Sequence, residues 1–251
     1  MRIEFLGTGT STGIPEVGCK CEVCTSVNPH DNRLRTSALI SVSGKNILID
    51  CGPDFRQQML RSSFETIDAL LVTHSHYDHT GGLDDLRPFC KNQAFPIYLE
   101  SSVARDIRAR IPYCFTDQKY PGIPDLQLHE IKNEPFEIAG IEIIPIRAMH
   151  YKLPILGYKI GKMAYITDSL YLPEDEYKKL VDIDVLIVNA LRKTPHISHQ
   201  TLGDALKLIK RVAPKHAYLI HMSHHMGLEE KVKRELPAGV SFAYDGLLVD
   251  C

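Results

Sequence analysis

Three histidines and one aspartate fall within six positions of the stretch Thr73-His74-Ser75-His76-Tyr77-Asp78-His79-Thr80-Gly81-Gly82. The residues immediately before it, 67–72, form a nearly continuous apolar run. Such a run predicts a strand that is buried on both faces of a sheet. Imidazole and carboxylate groups that follow a buried strand are typical of a metal site at the edge of that sheet.

The spacing of these side chains suits two metal ions better than one. Successive strand residues point to opposite faces, so His74 and His76 emerge on the same side and can share an ion. Beyond the strand, Gly81-Gly82 helps the backbone turn, so that Asp78 and His79 can face a second ion close to the first.

Length and composition agree with one compact enzyme. The chain has 251 residues, of which 44% are hydrophobic and 24% are charged, enough for a large core without disulfides. We find no linker and no low-complexity tract, and we expect residues 1–251 to form a single domain. The formal net charge of −2 provides no basic surface for nucleic acid.

The amino terminus and the cysteines indicate a cytoplasmic protein. The segment 1–9 reaches a Gly-Thr-Gly turn too early for the apolar core of a signal peptide. No apolar run is as long as a membrane span. The chain has seven cysteines, and in a reducing compartment a tight cluster of them is more often a metal site than a disulfide framework.

Such a cluster occurs at Cys19, Cys21 and Cys24. A disulfide within so short a loop would be strained, whereas three thiolates with this spacing commonly converge on Zn(II). A tetrahedral site needs a fourth ligand, which we expect to lie far away in the sequence. The alternative is that these cysteines are small core residues.

Four further polar residues stand where predicted strands end, namely Asp50, His150, Asp168 and His221. Alone, each would more often be a strand-end residue satisfied by local hydrogen bonds. Together with the histidine-rich stretch they favour metal ligands. Asp50 is placed to orient a ligand rather than to bind metal itself, or else to stabilise its turn.

His199 lies just ahead of a predicted helix. Residues 201–204, Thr-Leu-Gly-Asp, form a capping box, and the apolar positions that follow keep to one helix face. Because a helix amino terminus attracts anions, His199 is placed to meet a phosphate group. The alternative is a solvent-exposed residue that merely precedes the helix.

Alternating and continuous apolar runs predict the remaining elements. Strands are predicted at 2–6, 37–42, 46–50, 97–99, 126–131, 136–138, 141–148, 156–160, 163–167, 184–188, 217–220, 240–244 and 247–249. Helices are predicted at 102–111, after Thr201, and at 228–236, and residues 113–124 are predicted to form a loop.

The metal-binding residues resemble, in their order along the chain, the motifs of the metallo-β-lactamase superfamily. The matching residues are Asp50, His74-x-His76-x-Asp78-His79, His150, Asp168 and His221. The resemblance covers the whole chain and implies an α/β fold, a four-layer αββα sandwich of two mixed β-sheets flanked by helices. It also implies one ion at His74, His76 and His150, another at Asp78, His79 and His221, and Asp168 bridging both.

A carboxylate at Asp168, where the β-lactamases have a cysteine, favours the phosphodiesterase and nuclease branches. Within these the chain is most similar to the cyclic phosphodiesterases associated with the carbon–phosphorus lyase pathway (PhnP-like). The shared motifs are Gly18-Cys-x-Cys-x-x-Cys24, Gly82-Leu-Asp-Asp-Leu-Arg-Pro88 and His-x-Ser-His at 196–199. This resemblance implies a structural zinc held by the three cysteines and His224, with His225 as the rival fourth ligand.

Two other families resemble the chain less closely. The tRNA 3′-processing endonuclease is similar in its metal motifs and in His199, but the chain lacks a long basic, glycine-rich arm. The pyrroloquinoline-quinone biosynthesis protein shares a similar cysteine cluster, yet it is longer and departs in its metal motifs.

We therefore expect a phosphoric diester hydrolase with two divalent ions, Mn or Zn, and one structural Zn. A hydroxide bridging the two ions would attack a small, cyclic phosphodiester, with His199, Asp78 and Asp168 as catalytic residues and His199 protonating the leaving alkoxide. The alternatives are a tRNA 3′-processing endoribonuclease and a non-catalytic, zinc-stabilised binding module. We expect no nucleic-acid partner and no membrane, and a homodimer is left open.

Overall fold

The computed structural model describes residues 1–64, 66–91, 93–116 and 121–251. Within these residues fourteen strands form two sheets of seven. The strands are β1 (Arg2–Gly7), β2 (Ser37–Val42), β3 (Lys45–Ile49), β4 (Ala69–Leu71), β5 (Phe95–Glu100), β6 (Leu126–Ile131), β7 (Phe136–Ile138), β8 (Ile141–His150), β9 (Leu153–Ile160), β10 (Met163–Ile166), β11 (Val185–Asn189), β12 (His216–Ile220), β13 (Val240–Phe242) and β14 (Leu248–Asp250).

Both sheets are mixed, and each combines an antiparallel half with a parallel half. The first has the order β14-β1-β2-β3-β4-β5-β6, antiparallel as far as β3 and parallel from β3 to β6. The second has the order β13-β12-β11-β10-β9-β8-β7, parallel as far as β10 and antiparallel beyond it. Because parallel strands share the direction of their carboxyl ends, the residues after them collect at one edge.

The helices are short and flank the sheets. The α-helices are α1 (Phe55–Arg61), α2 (Tyr77–Thr80), α3 (Ser101–Arg110), α4 (Leu202–Val212) and α5 (Glu229–Val232). In the described part of the chain, 3₁₀ segments lie at Pro29–Asp31, Leu83–Cys90, Pro112–Phe115, Glu174–Leu180, His224–Met226 and Lys233–Glu235. Among the residues that the structure describes, no helix combines the length and the apolar character needed to cross a bilayer.

Three apolar clusters hold the layers together. The middle cluster lies between the sheets and includes Phe5 from the first sheet and Tyr158 and Tyr165 from the second. A second cluster packs α1 and α3 on the outer face of the first sheet, for example through Ile107. The third packs α4 on the outer face of the second sheet, for example through Ile209. The layers therefore run helix, sheet, sheet, helix, which confirms the predicted αββα sandwich.

The predicted strands are found, and most of them differ from the prediction by one to three residues at one or both ends. β4 is shorter than the apolar run 67–72, and the carboxylate of Asp68 just before it binds Lys45 and the backbone nitrogen of Asn46 at the start of β3. β8 and β9 are longer than predicted, since their ladder continues to the pair His150 and Leu153 across a two-residue turn. The predicted helix 228–236 is divided into α5 and a 3₁₀ segment.

Several short helical elements were not predicted, among them α1 and the 3₁₀ segment Glu174–Leu180. Each is so short that its apolar residues show no clear helical period in the sequence. These residues contact a sheet only in the folded chain, and that packing stabilises the helix. The predicted loop 113–124 begins within a 3₁₀ segment, and its residues 117–120 lie outside the described part of the chain.

Candidate metal centre

The ends of four strands bring the predicted ligands to one edge of the sandwich. His74 follows β4, His150 ends β8, Asp168 follows β10 and His221 follows β12. Strands β8, β10 and β12 point in the same direction, since β8 and β10 are each antiparallel to β9 and β12 continues the parallel half. The side chains that follow them therefore converge, although they are far apart in sequence.

Three residues that follow strands, one of them after β3, hold the backbone in the left-handed region. The angle φ is 59° at Asp50, 54° at Asp168 and 57° at His221. A non-glycine residue in this region costs about 1–3 kcal/mol, and such residues cluster at functional sites. The conformation turns each side chain toward the edge where the strand stops.

The first ligand group consists of Asp78, His79, Asp168 and His221. One ligand atom from each lies within 4.8 Å of the others, and all four residues are buried. His221 Nε2 is 3.0 Å from Asp168 Oδ1. His79 Nε2 is 3.1 Å from Asp78 Oδ2 and 3.3 Å from Asp168 Oδ1. These distances surround a space where a single cation would meet two imidazoles and two carboxylates.

The second group shares Asp168 with the first. His74, His76 and Asp168 bring their ligand atoms within 4.8 Å of one another. His74 Nε2 is 3.8 Å from Asp168 Oδ2, the oxygen that does not face the first group. The two oxygens of Asp168 thus face different ligand groups. This is the arrangement expected of a carboxylate that bridges two ions.

His150 lies on the far side of the second group. Its ring centroid is 5.0 Å from that of His76 and 4.6 Å from that of His199. Its Nδ1 donates to the backbone oxygen of Asp168 at 2.8 Å, which leaves Nε2 as the ligand atom. The ligand atom of His150 comes within 4.8 Å of those of Asp168 and His199. His150 is therefore close both to His76 and to His199, the residue predicted to protonate the leaving group.

Asp50 fixes the orientation of two site residues. Its Oδ2 accepts a hydrogen bond from His79 Nδ1 at 2.6 Å, and its Oδ1 accepts from the backbone nitrogen of Thr73 at 2.8 Å. The Thr73 hydroxyl donates to Asp50 Oδ2 and lies 2.9 Å from His74 Nδ1. Accepting the proton of His74 Nδ1 leaves Nε2 free to bind metal.

Thr73 was not among the predicted site residues. The only feature of the sequence that indicates a role for Thr73 is its hydroxyl group, placed between the buried strand and the first histidine. A threonine at a strand end is common without any function, so this signal alone identifies nothing.

The buried nitrogen atoms show that the site fits a metal ion. His79 Nε2 and both ring nitrogens of His221 are buried with no hydrogen-bond partner in the described part of the chain. An unsatisfied buried polar group costs about 1–3 kcal/mol. Because His79 Nδ1 donates its hydrogen to Asp50, the neutral ring directs the lone pair of Nε2 toward the carboxylates of Asp78 and Asp168. A cation between these groups removes the repulsion and satisfies Nε2 of His79 and of His221.

The electrostatics of the site also favour a cation. Burial lowers the pKa of His79, but the carboxylates of Asp78, Asp168 and Asp50 outweigh burial and raise this pKa well above its usual range. Burial raises the pKa of Asp168, but the neighbouring histidines His221 and His79 outweigh burial and lower this pKa well below its usual range. Burial lowers the pKa of His74, so its ring is neutral, as a metal ligand must be. The carboxylates therefore attract positive charge, which the metal-free site carries as a proton on His79 and which a metal ion would replace, while His74 is already a neutral donor.

His199 lies at the same centre and is buried. Its ring is 4.6 Å from that of His150 and 5.0 Å from that of His221, measured between centroids. Burial lowers the pKa of His199 to about 3, and its Nδ1 has no partner among the described residues. The capping box follows as predicted, with Thr201 Oγ1 accepting from the backbone nitrogen of Asp204 at 3.1 Å. The role of His199 in proton transfer stays a prediction.

The three clustered cysteines meet His224. The distances from His224 Nδ1 to the sulfur atoms are 3.2 Å for Cys19, 3.7 Å for Cys21 and 3.1 Å for Cys24. None of these cysteines is buried in the core, so they are not core residues. In the same part of the structure His225 Nε2 lies 3.0 Å from His224 Nε2. Three thiols and one imidazole form a donor set that zinc prefers.

Comparison with known proteins places the chain in a family. Residues 45–222 match the family described as a beta-lactamase superfamily domain. The chain belongs to the metallo-β-lactamase superfamily. The crystal structure of a new diphosphatase from the PhnP family superposes on this metallo-β-lactamase fold with a TM-score of 0.93 and 36% identity, covering 100% of this chain and 97% of that chain. Within the superfamily the chain therefore belongs to the PhnP family.

Two further proteins are similar to this PhnP-family chain. An octanoyltransferase from Porphyromonas gingivalis is 47% identical over 250 residues, which are 98% of this chain and 51% of that protein. The chain thus spans about half the length of that relative. Zn(2+)-bound PqqB from Methylobacterium extorquens has a TM-score of 0.81 at 19% identity, with both chains fully covered, and shares the fold.

The family, the diphosphatase relative and the buried imidazole and carboxylate groups together support a metal-dependent hydrolase. The class of substrate depends on which chemical groups the site binds next to the metal ions.

Proposed function

We propose that this PhnP-family protein is a dinuclear metal-dependent phosphodiesterase that opens a small, cyclic phosphodiester to a monoester. The observation that carries the proposal is the position of Asp168, whose two carboxylate oxygens face two different ligand groups. A carboxylate here, rather than a thiolate, gives both groups nitrogen and oxygen donors only, which suit ions that bind phosphate oxygens.

The metal ligands are assigned from the two groups, from the position of His150 beside His76, and from the resemblance to the superfamily. His74, His76 and His150 would hold one ion, Asp78, His79 and His221 the other, and Asp168 would bind both. When bound, two divalent ions such as Mn(II) or Zn(II) would polarise the phosphoryl oxygens and supply an activated water at neutral pH.

The protein side chains prepare this chemistry. Asp50 holds the ring of His79 through Nδ1, so that Nε2 stays directed toward Asp78 and Asp168. The ring centroid of His199 lies 4.6 Å from that of His150, so a phosphodiester bound at the metals would bring its anionic phosphate close to the His199 ring. An anion bound there raises the pKa of the nearby imidazole. His199 is then placed to give a proton to the leaving alkoxide.

The diphosphatase relative, 36% identical over the whole chain, favours a second candidate, hydrolysis of a phosphoric anhydride. Both reactions begin with attack on phosphorus, and they differ in the leaving group. An alkoxide needs a proton as it leaves, whereas a phosphate group needs one far less. The position of His199 therefore supports the ester. The octanoyltransferase relative supports no transferase activity in this chain, because the chain spans only about half of that protein.

A substrate comparison tests the proposal. The purified chain, loaded with Mn(II) or Zn(II), is assayed with a ribose cyclic phosphate, 2′,3′-cyclic nucleotides, bis(p-nitrophenyl) phosphate, a diphosphate diester and a tRNA precursor. We expect the cyclic phosphodiesters to give the highest kcat/KM. Faster hydrolysis of the diphosphate would favour the second candidate, and faster cleavage of the tRNA precursor would make the protein a nuclease.

Asp50→Asn is expected to lower kcat/KM about 10- to 100-fold, the usual cost of removing a group that orients a metal ligand. An asparagine amide has one acceptor oxygen in place of the carboxylate's two, so it cannot serve Thr73 and His79 together. Turnover and metal content are measured side by side. Asp175→Asn, in an exposed ion pair with Lys178, is the control. An unchanged kcat/KM in Asp50→Asn would show that His79 needs no such support.

Cys21→Ser is expected to lose about one equivalent of zinc per chain and to unfold at a lower temperature, because a closed thiolate site contributes to folding directly. Activity should fall indirectly, since His224 lies three residues after His221 and the zinc would tie both loops together. Metal analysis and thermal melting of Cys21→Ser are compared with Cys251→Ser, whose thiol is exposed at the chain end.

The same assay decides which histidine completes the zinc site. His224→Ala should lose the zinc, and His225→Ala should keep it. A full complement of zinc in Cys21→Ser would refute the structural site, and loss of zinc in His225→Ala alone would make His225 the ligand.

A further inference from the structure

The loop that carries the histidine-rich stretch has two halves, and the fold holds them in different ways. Backbone hydrogen bonds to the turn after β3 fix the second half, 78–82. The nitrogen of Cys51 donates to the oxygen of His79 at 2.8 Å, and the nitrogen of Gly82 donates to the oxygen of Cys51 at 2.9 Å. These bonds hold the half of the loop that provides Asp78 and His79.

Side chains hold the first half of the loop, 74–76. Arg110 Nη2 donates to the backbone oxygen of Ser75 at 2.8 Å. Thr80 Oγ1 donates to the backbone oxygen of His76 at 2.9 Å, and the same hydroxyl accepts from Arg110 Nη1. Arg110 therefore supports this half of the loop both directly and through Thr80.

A second residue of α3 also reaches the loop. Ser75 Oγ donates to Asp106 Oδ2 at 2.6 Å. Asp106 and Arg110 are four positions apart on α3, so they lie on the same side of the helix, one turn from each other. An adjacent face of α3 buries Ala104 and Ile107 against the first sheet. This packing anchors the helix, which then presents a carboxylate and a guanidinium to the loop.

His76 is the metal ligand that depends most on this support. Of the seven ligands assigned to the two ions, six are buried and His76 is exposed. A buried imidazole is held by the side chains packed around it. The position of an exposed imidazole follows the backbone that carries it. Both peptide groups that flank the Cα atom of His76 are bonded through their oxygens to Arg110 or Thr80.

We propose that Arg110 is a positioning residue of the metal centre, which holds the loop so that His76 reaches its ion. The inference rests on the proposed function, because it requires two ions. Arg110 acts through the backbone and not through a ligand atom or the substrate. Since backbone bonds to Cys51 hold the other half of the loop, the loss of Arg110 should weaken one ion and spare the other.

The guanidinium group explains why arginine suits this position. It is planar, so Nη1 and Nη2 can bind two acceptors at a fixed separation, here Thr80 Oγ1 and the oxygen of Ser75. A lysine ammonium is a point charge and does not reproduce this forked geometry. Hydrogen bonds and ion pairs of exposed side chains add little to overall stability. We therefore expect Arg110→Ala to fold and to differ from the wild type in metal binding.

Calorimetric titration with Mn(II) tests the proposal without any substrate. Mild chelation first removes the catalytic ions and leaves the thiolate-bound zinc. We expect Arg110→Ala to bind one Mn(II) about 10- to 100-fold more weakly, the usual cost of losing a group that orients a ligand, and to bind the other Mn(II) as the wild type does. Arg110→Lys should fall between the two proteins.

Arg108→Ala is the matched control. Arg108 lies on the same helix and forms an exposed ion pair with Glu130 at 3.5 Å, and Glu130 belongs to β6 rather than to the metal loop. The variant removes the same charge and the same kind of side chain from α3. We expect it to bind both Mn(II) ions with wild-type affinity.

A double-mutant cycle identifies the ligand through which Arg110 acts. His76→Ala should weaken the same ion that Arg110→Ala weakens. In the double variant the loss should equal that of His76→Ala alone, because the ligand that Arg110 positions is already gone. Two losses that add would mean that Arg110 acts through another ligand, which would overturn the proposal.

Hydrogen exchange of the metal-free protein gives a readout that needs no ion. The amide groups of residues 75–80 should exchange faster in Arg110→Ala and in Asp106→Ala than in the wild type, because the loop opens more often. Asp106→Asn keeps an acceptor oxygen for Ser75 Oγ and should exchange as the wild type does.

This proposal and the proposed function can fail separately. Unchanged Mn(II) binding and unchanged exchange in Arg110→Ala would overturn the role of Arg110 and leave the phosphodiesterase intact. Equal weakening of both ions would also overturn it, because the support would then not be specific to His76. Selective weakening of one ion would support the role of Arg110 even if no phosphodiester were hydrolysed.

Discussion

Asp168→Ala is expected to reduce kcat/KM by more than about 100-fold while the protein stays folded. Removing a group that only orients a metal ligand costs about 10- to 100-fold. Asp168 faces both ligand groups directly, with Oδ1 at 3.0 Å from His221 Nε2 and Oδ2 at 3.8 Å from His74 Nε2. Its loss should therefore cost more, because two ions are no longer held at one fixed separation.

The backbone at Asp168 decides how this experiment is designed. Its φ of 54° lies in the left-handed region, which alanine disfavours and asparagine tolerates. Asp168→Asn therefore separates loss of charge from backbone strain. Circular dichroism, metal content and kcat/KM are measured for both variants. Near-normal turnover in a folded, metal-loaded Asp168→Asn protein would contradict the assignment of a dinuclear metal site.

His199→Ala is expected to slow hydrolysis of alkyl phosphodiesters by about 10²–10⁴-fold, the usual contribution of general acid catalysis. Bis(p-nitrophenyl) phosphate should be affected far less, because nitrophenolate leaves without a proton. The rates are compared for His199→Ala and for His216→Ala. His216 is exposed at the first residue of β12, at the edge opposite to the metals, and serves as the control.

The pKa of His199 gives the experiment a second outcome. Burial lowers this pKa to about 3, so the ring is neutral before the substrate binds. If the bound phosphodiester raises the pKa enough to protonate the ring, the loss depends on the leaving group. If the ring stays neutral and only donates a hydrogen bond to the phosphate, both substrates lose the same factor. Equal losses would thus replace the general acid with a phosphate-binding role.

Much of the fold follows from local patterns in the sequence. The alternating and continuous apolar runs predict the strands because a strand residue is buried or exposed according to its own position in the pleat. The capping box at Thr201 predicts the start of α4 because its hydrogen bonds join residues only three positions apart. The order of the metal motifs identifies the superfamily because the chemistry of each ligand depends on residue type, which is visible without a structure.

Contacts between distant residues needed the tertiary structure. Asp50 and His79 are 29 positions apart, and their 2.6 Å hydrogen bond exists only because β3 and β4 pair in parallel. Only the folded chain likewise shows that His224 rather than His225 reaches the thiols, since two adjacent histidines have the same local pattern.

The sequence by itself thus determined the strands, the sandwich family and the kinds of ligand. The tertiary structure decided which oxygen of Asp168 faces which histidine and how Thr73 joins the site. The physical reason is that periodicity reports whether a side chain is buried, whereas coordination and stacking depend on distances between atoms. The packing of the two sheets brings those atoms together.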